Sequence, residues 1–146
     1  MKSKDNFFTS KDQVKTIDTF RLIYLIVGLV SFFFTELGRF VYRPFIYENN
    51  LSDFGIADSI GNLGGIVVQI FIGLAIFNPP FKKGFRLFGF FVMGYIVYEI
   101  LQPILPRGVF DWTDIYGTLI GGVIAVLLYI IIHAGVKQNN TIYKLQ

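Results

Sequence analysis

The sequence predicts an all-α integral membrane protein of four transmembrane helices, arranged as two tandem parallel-repeat hairpins with both termini cytoplasmic. Three observations carry that reading: long apolar runs, a lopsided distribution of lysine and arginine, and a polar pattern that occurs twice. Of 146 residues, 53% are hydrophobic and 18% aromatic, and the mean hydropathy is +0.58. A hydrocarbon layer about 30 Å thick takes about 20 residues of helix. Four runs meet or approach that length, 20–44, 58–78, 85–105 and 114–133. They divide the chain into an N-terminal tail (1–19), a first hairpin (20–78), a loop (79–84), a second hairpin (85–133) and a C-terminal tail (134–146).

The polar tail before Arg21 lacks the early, short apolar stretch and small-residue cleavage site of a signal peptide, so the first helix is expected to be retained. Ten basic residues fall in the two tails, the start of helix 1 and the stretch 79–86, against Arg39, Arg43 and Arg107 on the other side. Basic residues favour the cytoplasm, so the 45–57 and 106–113 connections should face outward across a bacterial cytoplasmic membrane. The net charge of +3 then follows from topology, and split among separate segments it forms no nucleic-acid groove. The chain has no cysteine and one histidine, which excludes disulfides and thiolate chemistry and makes a His-rich metal site untenable. No cofactor or metal is expected.

Helices 1 and 3 both open on Arg-Leu and turn polar late, with Glu36, Arg39 and Arg43 in one and Glu99, Gln102 and Arg107 in the other. Helices 2 and 4 align more tightly. Asp58, Gly61, Asn62, Leu63 and Gly65 match Asp114, Gly117, Thr118, Leu119 and Gly121, giving D-x-x-G-[NT]-L-x-G twice. Apolar matches come easily in a membrane chain, but polar ones at identical spacing point to duplication. Paired G-x-x-x-G motifs let backbones approach. Helices 2 and 4 should therefore cross near a pseudo-two-fold axis along the membrane normal, bringing Asp58 towards Asp114.

Glu99 lies about 20 Å above Arg86 and Glu36 about 22 Å above Arg21, inside the outer third of the hydrocarbon layer. Carboxylates at that depth need partners or a polar vestibule. Arg39 stands three residues from Glu36, while Glu99 is expected to take an arginine from elsewhere. One reading of both glutamates is an interhelical salt bridge; the other is a ligand site, since each also opposes the dipole of its own helix. Pro103 and Pro106 should free the Glu99 and Gln102 carbonyls as further acceptors. Asp58 and Asp114 are placed as N-caps, which leaves Asn62 and Thr118, one turn deeper, unexplained. Asp111 reads as a solvated loop carboxylate or as part of the site. Gln69 is expected to hydrogen-bond between helices, and His133 to cap the end of helix 4. Trp112, Tyr42, Tyr47 and Tyr116 suit an interfacial belt.

The stretch "YEILQPILPRGVFDWTDIYGTLIGGVIAVLLY", residues 98–129, resembles the signature of the VanZ-like family of small bacterial membrane proteins. Glu99, Gln102, Arg107, Asp111, Asp114, Thr118 and Gly121 match it in order, with Thr118 where the family commonly has asparagine. The resemblance implies a multi-helix accessory protein linked by name to teicoplanin resistance, and brings no reaction with it.

Three classes of function remain. The first is an accessory envelope protein whose outward pocket of Glu36, Arg39, Arg43, Asp58, Asn62, Glu99, Gln102, Arg107, Asp111, Asp114 and Thr118 binds a lipid or cell-wall-precursor headgroup. Its partners would be membrane lipids, a cell-wall precursor or an envelope protein, and a homo-oligomer is compatible. The second is a proton- or cation-coupled transporter, for which no ionisable residues continue the path inward. The third, an enzyme acting on a lipid-linked substrate, lacks a nucleophile motif.

Overall fold

The computed structural model describes the backbone of residues 5–106 and 108–142, and the side chains of residues 19–106 and 108–136. Every regular element among them is helical: α1 (Asp5–Leu37), a π-helical turn (Gly38–Tyr42), α2 (Arg43–Glu48), α3 (Ile56–Phe77), α4 (Phe81–Leu101), a 3-10 turn (Gln102–Ile104) and α5 (Trp112–Ile142). Four stretches are long and apolar enough to cross a membrane, Thr19–Glu48, Ile56–Phe77, Phe81–Ile104 and Trp112–Val136. The chain is a multi-pass membrane protein.

The helices outrun their apolar stretches, because hydropathy marks where lipid ends and backbone hydrogen bonding continues into the polar flanks. α1 reaches back to Asp5 through most of the 1–19 tail, and α5 continues to Ile142 through much of the 134–146 tail. The connection predicted over 79–84 narrows to residues 78–80. Asn78 ends α3 in the left-handed region (φ 42°), its N–H bonded to the Leu74 carbonyl, and Pro80 immediately precedes α4 in an extended conformation.

Glycines set the packing and reveal the helix directions. A β-carbon at Gly28, Gly38 or Gly64 would meet Ile72, Ile60 or Thr35, so α1 and α3 run antiparallel. Gly117 lies against Ser59 and Leu63, and Gly121 against Leu63 and Ile66, so α3 and α5 run parallel in close contact. α4 runs against both, with Phe91 and Tyr95 over Gly73 and Gly65 of α3 and Val92 beside Gly122 of α5. The two G-x-x-x-G motifs therefore do different things. The α5 pair makes the expected crossing, whereas Gly61 meets nothing within 4 Å and Gly65 faces α4. On α3 the close approach to α1 falls to Gly64, one residue round the helix.

The apolar core joins Tyr24, Ile66, Val67, Ile70, Phe71, Leu74, Phe88, Ala125 and Tyr129. At the end of the bundle away from the 49–55 connection, polar ring atoms are matched inside it. The Tyr24 hydroxyl bonds His133 Nε2 at 2.7 Å, and the Tyr129 hydroxyl donates to the Phe81 carbonyl at 3.0 Å. Phe20 stacks on His133 with centroids 4.3 Å apart. His133 thus ties α1 to α5 inside a continuing helix and caps nothing, correcting the reading of a helix end there.

Gly121→Ala should lower thermal stability in detergent by about 1–3 kcal/mol, because its β-carbon would drive into the Leu63 carbonyl. Gly94→Ala, with nothing within 4 Å, should leave stability unchanged or raise it by up to about 1 kcal/mol.

Candidate functional site

Two parallel helices, α3 and α5, begin side by side, and each is capped by an aspartate that precedes it. Asp53 Oδ1 accepts the Gly55 N–H at 3.1 Å, and its Oδ2 accepts the Ala57 N–H at 2.6 Å and the Tyr42 hydroxyl at 3.2 Å. Asp111 Oδ1 accepts the Thr113 N–H at 2.8 Å. Capping therefore does not belong to Asp58 and Asp114, which correction follows from where the helices start. Each is instead the third residue of its helix, where the dipole still favours a carboxylate and the side chain is free to turn outward.

What they turn towards is a cavity of about 330 Å³ lined by Arg39, Arg43, Asp58, Gly61, Asn62, Asp111 and Asp114. The arginines come from a widened stretch of helix. Pro44 has no N–H to give the Phe40 carbonyl, and the preceding turn relaxes into a π-helix, closed by the Arg43 N–H to the Gly38 carbonyl. Arg39 and Arg43, four residues apart, both border the cavity. Arg39 holds Glu36 at 3.2 Å, as their spacing predicts, with Glu36 itself outside the cavity lining. Arg43 donates from Nε to the Tyr47 hydroxyl at 3.1 Å and stands 3.7 Å from Asp58, while the Tyr47 hydroxyl donates to Asp58. These pairs are partly exposed, so they orient the groups more than they stabilise the fold.

Both arginines that line the cavity thus already have carboxylate partners. Asp114 has no hydrogen-bond or ion-pair partner among the described residues, and Asp111 serves a backbone amide. Among the described residues the unspent charge of the cavity is negative.

Behind it lies Glu99, 1% exposed. Among the described residues its partners are two amides and neither Arg39 nor Arg43: Asn62 Nδ2 donates to Oε1 at 3.0 Å and Gln102 Nε2 to Oε2 at 2.5 Å. Asn62 reaches both the cavity and Glu99, so it links them. The carbonyls that Pro103 and Pro106 were expected to free are satisfied. The 3-10 turn supplies the Gln102 N–H to Glu99 and the Leu105 N–H to Gln102. Thr118 is fully buried and its hydroxyl has no partner, as has the hydroxyl of Thr113. Thr118 stands one turn before Gly122, which faces Val92 of α4.

Arg107 lies outside the described residues. Gln69 is exposed and has no hydrogen-bond partner among the described residues, so it ties no helices together there. The sequence reading missed Tyr42, Tyr47 and Asp53 as parts of this polar network. The four-residue step from Arg43 to Tyr47 was a usable signal, since it puts both on one face of α2. Trp112 and Tyr116, at 61% and 59% exposed, remain at the surface as an interfacial belt requires.

Chemically, the arrangement offers guanidinium donors for an anionic group beside carboxylate acceptors for hydroxyl or ammonium donors. Among the described residues no group of three or more His, Asp or Glu is placed to hold a metal ion. Asp53→Ala should destabilise the folded protein by about 1 kcal/mol in thermal unfolding, through loss of the α3 cap. Asp58→Ala should change stability by less than about half of that, which would reverse if Asp58 were the cap. Compared with protein-family models, curated proteins and solved structures, the chain matches none of them.

Proposed function

We propose that this chain is an accessory protein of the bacterial cytoplasmic membrane that binds the polar headgroup of a lipid or lipid-linked cell-wall precursor. The observation that carries the reading is the cavity of about 330 Å³, which combines two guanidinium groups with three carboxylates at one end of a membrane bundle. A purely anionic ligand would meet the unspent charge of Asp114. A headgroup with a phosphate for Arg39 and Arg43 and with N–H or O–H donors for Asp114 and Asp111 uses both halves of the site.

The finer topology belongs to the same proposal. Both termini are cytoplasmic, supported by the basic tails, so the cavity opens outward. The two hairpins are tandem repeats, supported by D-x-x-G-[NT]-L-x-G and by the shared direction of α1 with α4 and of α3 with α5. Membership of the VanZ-like family rests on the resemblance over residues 98–129. Binding is favoured over conduction because Ile66, Ile70, Phe71 and Leu74, none more than 1% exposed, fill the interior beneath the site.

Native mass spectrometry of delipidated protein tests the reading with two probes of equal charge. Dioleoylphosphatidylethanolamine, which carries N–H donors, should bind at least about tenfold tighter than dioleoylphosphatidylcholine, which carries none. Asp114→Asn should narrow that ratio, and Arg43→Ala should weaken both lipids about tenfold or more. Equal binding of both lipids by the native protein and by both variants would overturn the assignment.

A further inference from the structure

Glu99 is 1% exposed at the end of α4, inside a membrane span, where burial and the dipole of its own helix both disfavour a carboxylate. Asn62 of α3 bonds its Oε1 and Gln102 bonds its Oε2, so both oxygens are held in place. Glu99 is absent from the cavity lining, whereas Asn62 is part of it. The route from Glu99 to the cavity is therefore the Asn62 amide. A neutral glutamine could accept from both amides without the desolvation cost of a charge, so stability alone does not call for a carboxylate here.

What a carboxylate does that a neutral amide does not is fix direction. Its oxygens only accept, so a side-chain amide can meet them only with its N–H edge. Asn62 gives Nδ2 to Glu99, and its Oδ1 stands on the other arm of the same planar group. That oxygen has no hydrogen-bond partner among the described residues. It is not enclosed either, since the enclosed, unpartnered side-chain oxygens there are the Thr113 and Thr118 hydroxyls. The open space that Asn62 borders is the cavity, so an acceptor faces it. Asp114, on the same cavity, supplies another uncommitted acceptor. A hydroxyl donates to one acceptor at a time, whereas a primary ammonium has several N–H donors and can serve both.

We infer that Glu99 is a positioning residue for the headgroup site: by fixing the Asn62 amide it turns a second acceptor towards the ligand and makes the cavity selective for a primary ammonium. Glu99 itself does not touch the ligand. Arg39 and Arg43 hold the phosphate, and the ammonium divides its N–H donors between Asp114 and the Asn62 oxygen. The inference rests on the headgroup reading above, and adds which headgroup is preferred and what sets the preference.

Native mass spectrometry of delipidated protein with three lipids of equal charge separates the two ideas: dioleoylphosphatidylethanolamine, its N,N-dimethyl derivative with a single N–H, and dioleoylphosphatidylcholine with none. The affinities should fall in that order. Asn62→Ala should weaken the ethanolamine lipid about three- to tenfold, to the level of the dimethyl lipid. Glu99→Gln should weaken it at least about threefold, because a glutamine lets the Asn62 amide stand either way round. With both substitutions together the loss should be no greater than in Asn62→Ala alone. A loss that multiplies in the double variant would mean that Glu99 acts on the ligand independently of Asn62, and would overturn the inference. If Glu99→Gln leaves the ethanolamine preference intact while Asp114→Asn narrows it, the headgroup site stands and the role of Glu99 fails. A second measurement needs no substitution at Glu99. In detergent-solubilised protein with isotope-labelled asparagine, the Asn62 side-chain amide, assigned by its loss in Asn62→Ala, should be protected from hydrogen exchange at least about tenfold relative to exposed Asn50. Equal exchange at the two sites overturns the inference even where a Glu99 variant does not fold. If the three lipids bind equally and Arg43→Ala changes nothing, both ideas fall.

Discussion

The close approach of α5 to the α3 backbone is the contact on which the site depends. Gly117 and Gly121 leave room for Ser59 and Leu63, and no side chain larger than hydrogen fits there without displacing backbone. Because α3 and α5 are parallel, that contact also sets two helix N-termini beside each other. Four aspartates, 53, 58, 111 and 114, gather at these two starts. In isolation they would repel. The amide-rich ends of two helices supply the compensating positive field, with two aspartates bonded directly to backbone N–H groups.

The same geometry resolves the position of Glu99. At the end of α4 it opposes the dipole of its own helix, and it is buried, two reasons for a carboxylate to be absent. α4 runs against α3 and α5, however, so its end lies beside their beginnings. The neighbouring helices offset the unfavourable field, and Asn62 and Gln102 give each carboxylate oxygen a donor. They satisfy the oxygens without bringing a second charge into a dry seam.

The spans and the polar end of the bundle were legible because both are local properties: hydropathy accumulates along the chain, and identical spacing of D-x-x-G marks the two helix starts. What the sequence concealed was rotation about each helix and the residue at which each begins. A start two residues earlier turns Asp58 from a cap into a cavity wall and passes capping to Asp53. A turn of about 100° decides whether Gly61 and Gly65 or Gly64 meets a neighbouring helix. His133 shows the same difficulty: an apolar run that fades at 133 hides a helix that continues to Ile142. Gln69 was misread for a different reason. Polar residues at mid-depth usually face another helix, and here the side chain is exposed.

Residues at matching spacing in the two hairpins have unlike surroundings. Glu36 pairs with Arg39 near the surface, while Glu99 is sealed behind two amides. Asn62 spends its amide on Glu99, whereas Thr118, its counterpart, has a buried hydroxyl with nothing to bond. α1 lies close along α3, whereas α4 packs on both α3 and α5 and not along α1. A two-fold site would present two equal openings and two equal sets of donors. This one has its paired guanidinium groups on the π-helical turn and α2 and, among the described residues, its uncommitted carboxylate on α5. Such a cavity distinguishes the ends of what it holds, which is the property required to seat a headgroup with a phosphate at one end and hydrogen-bond donors at the other.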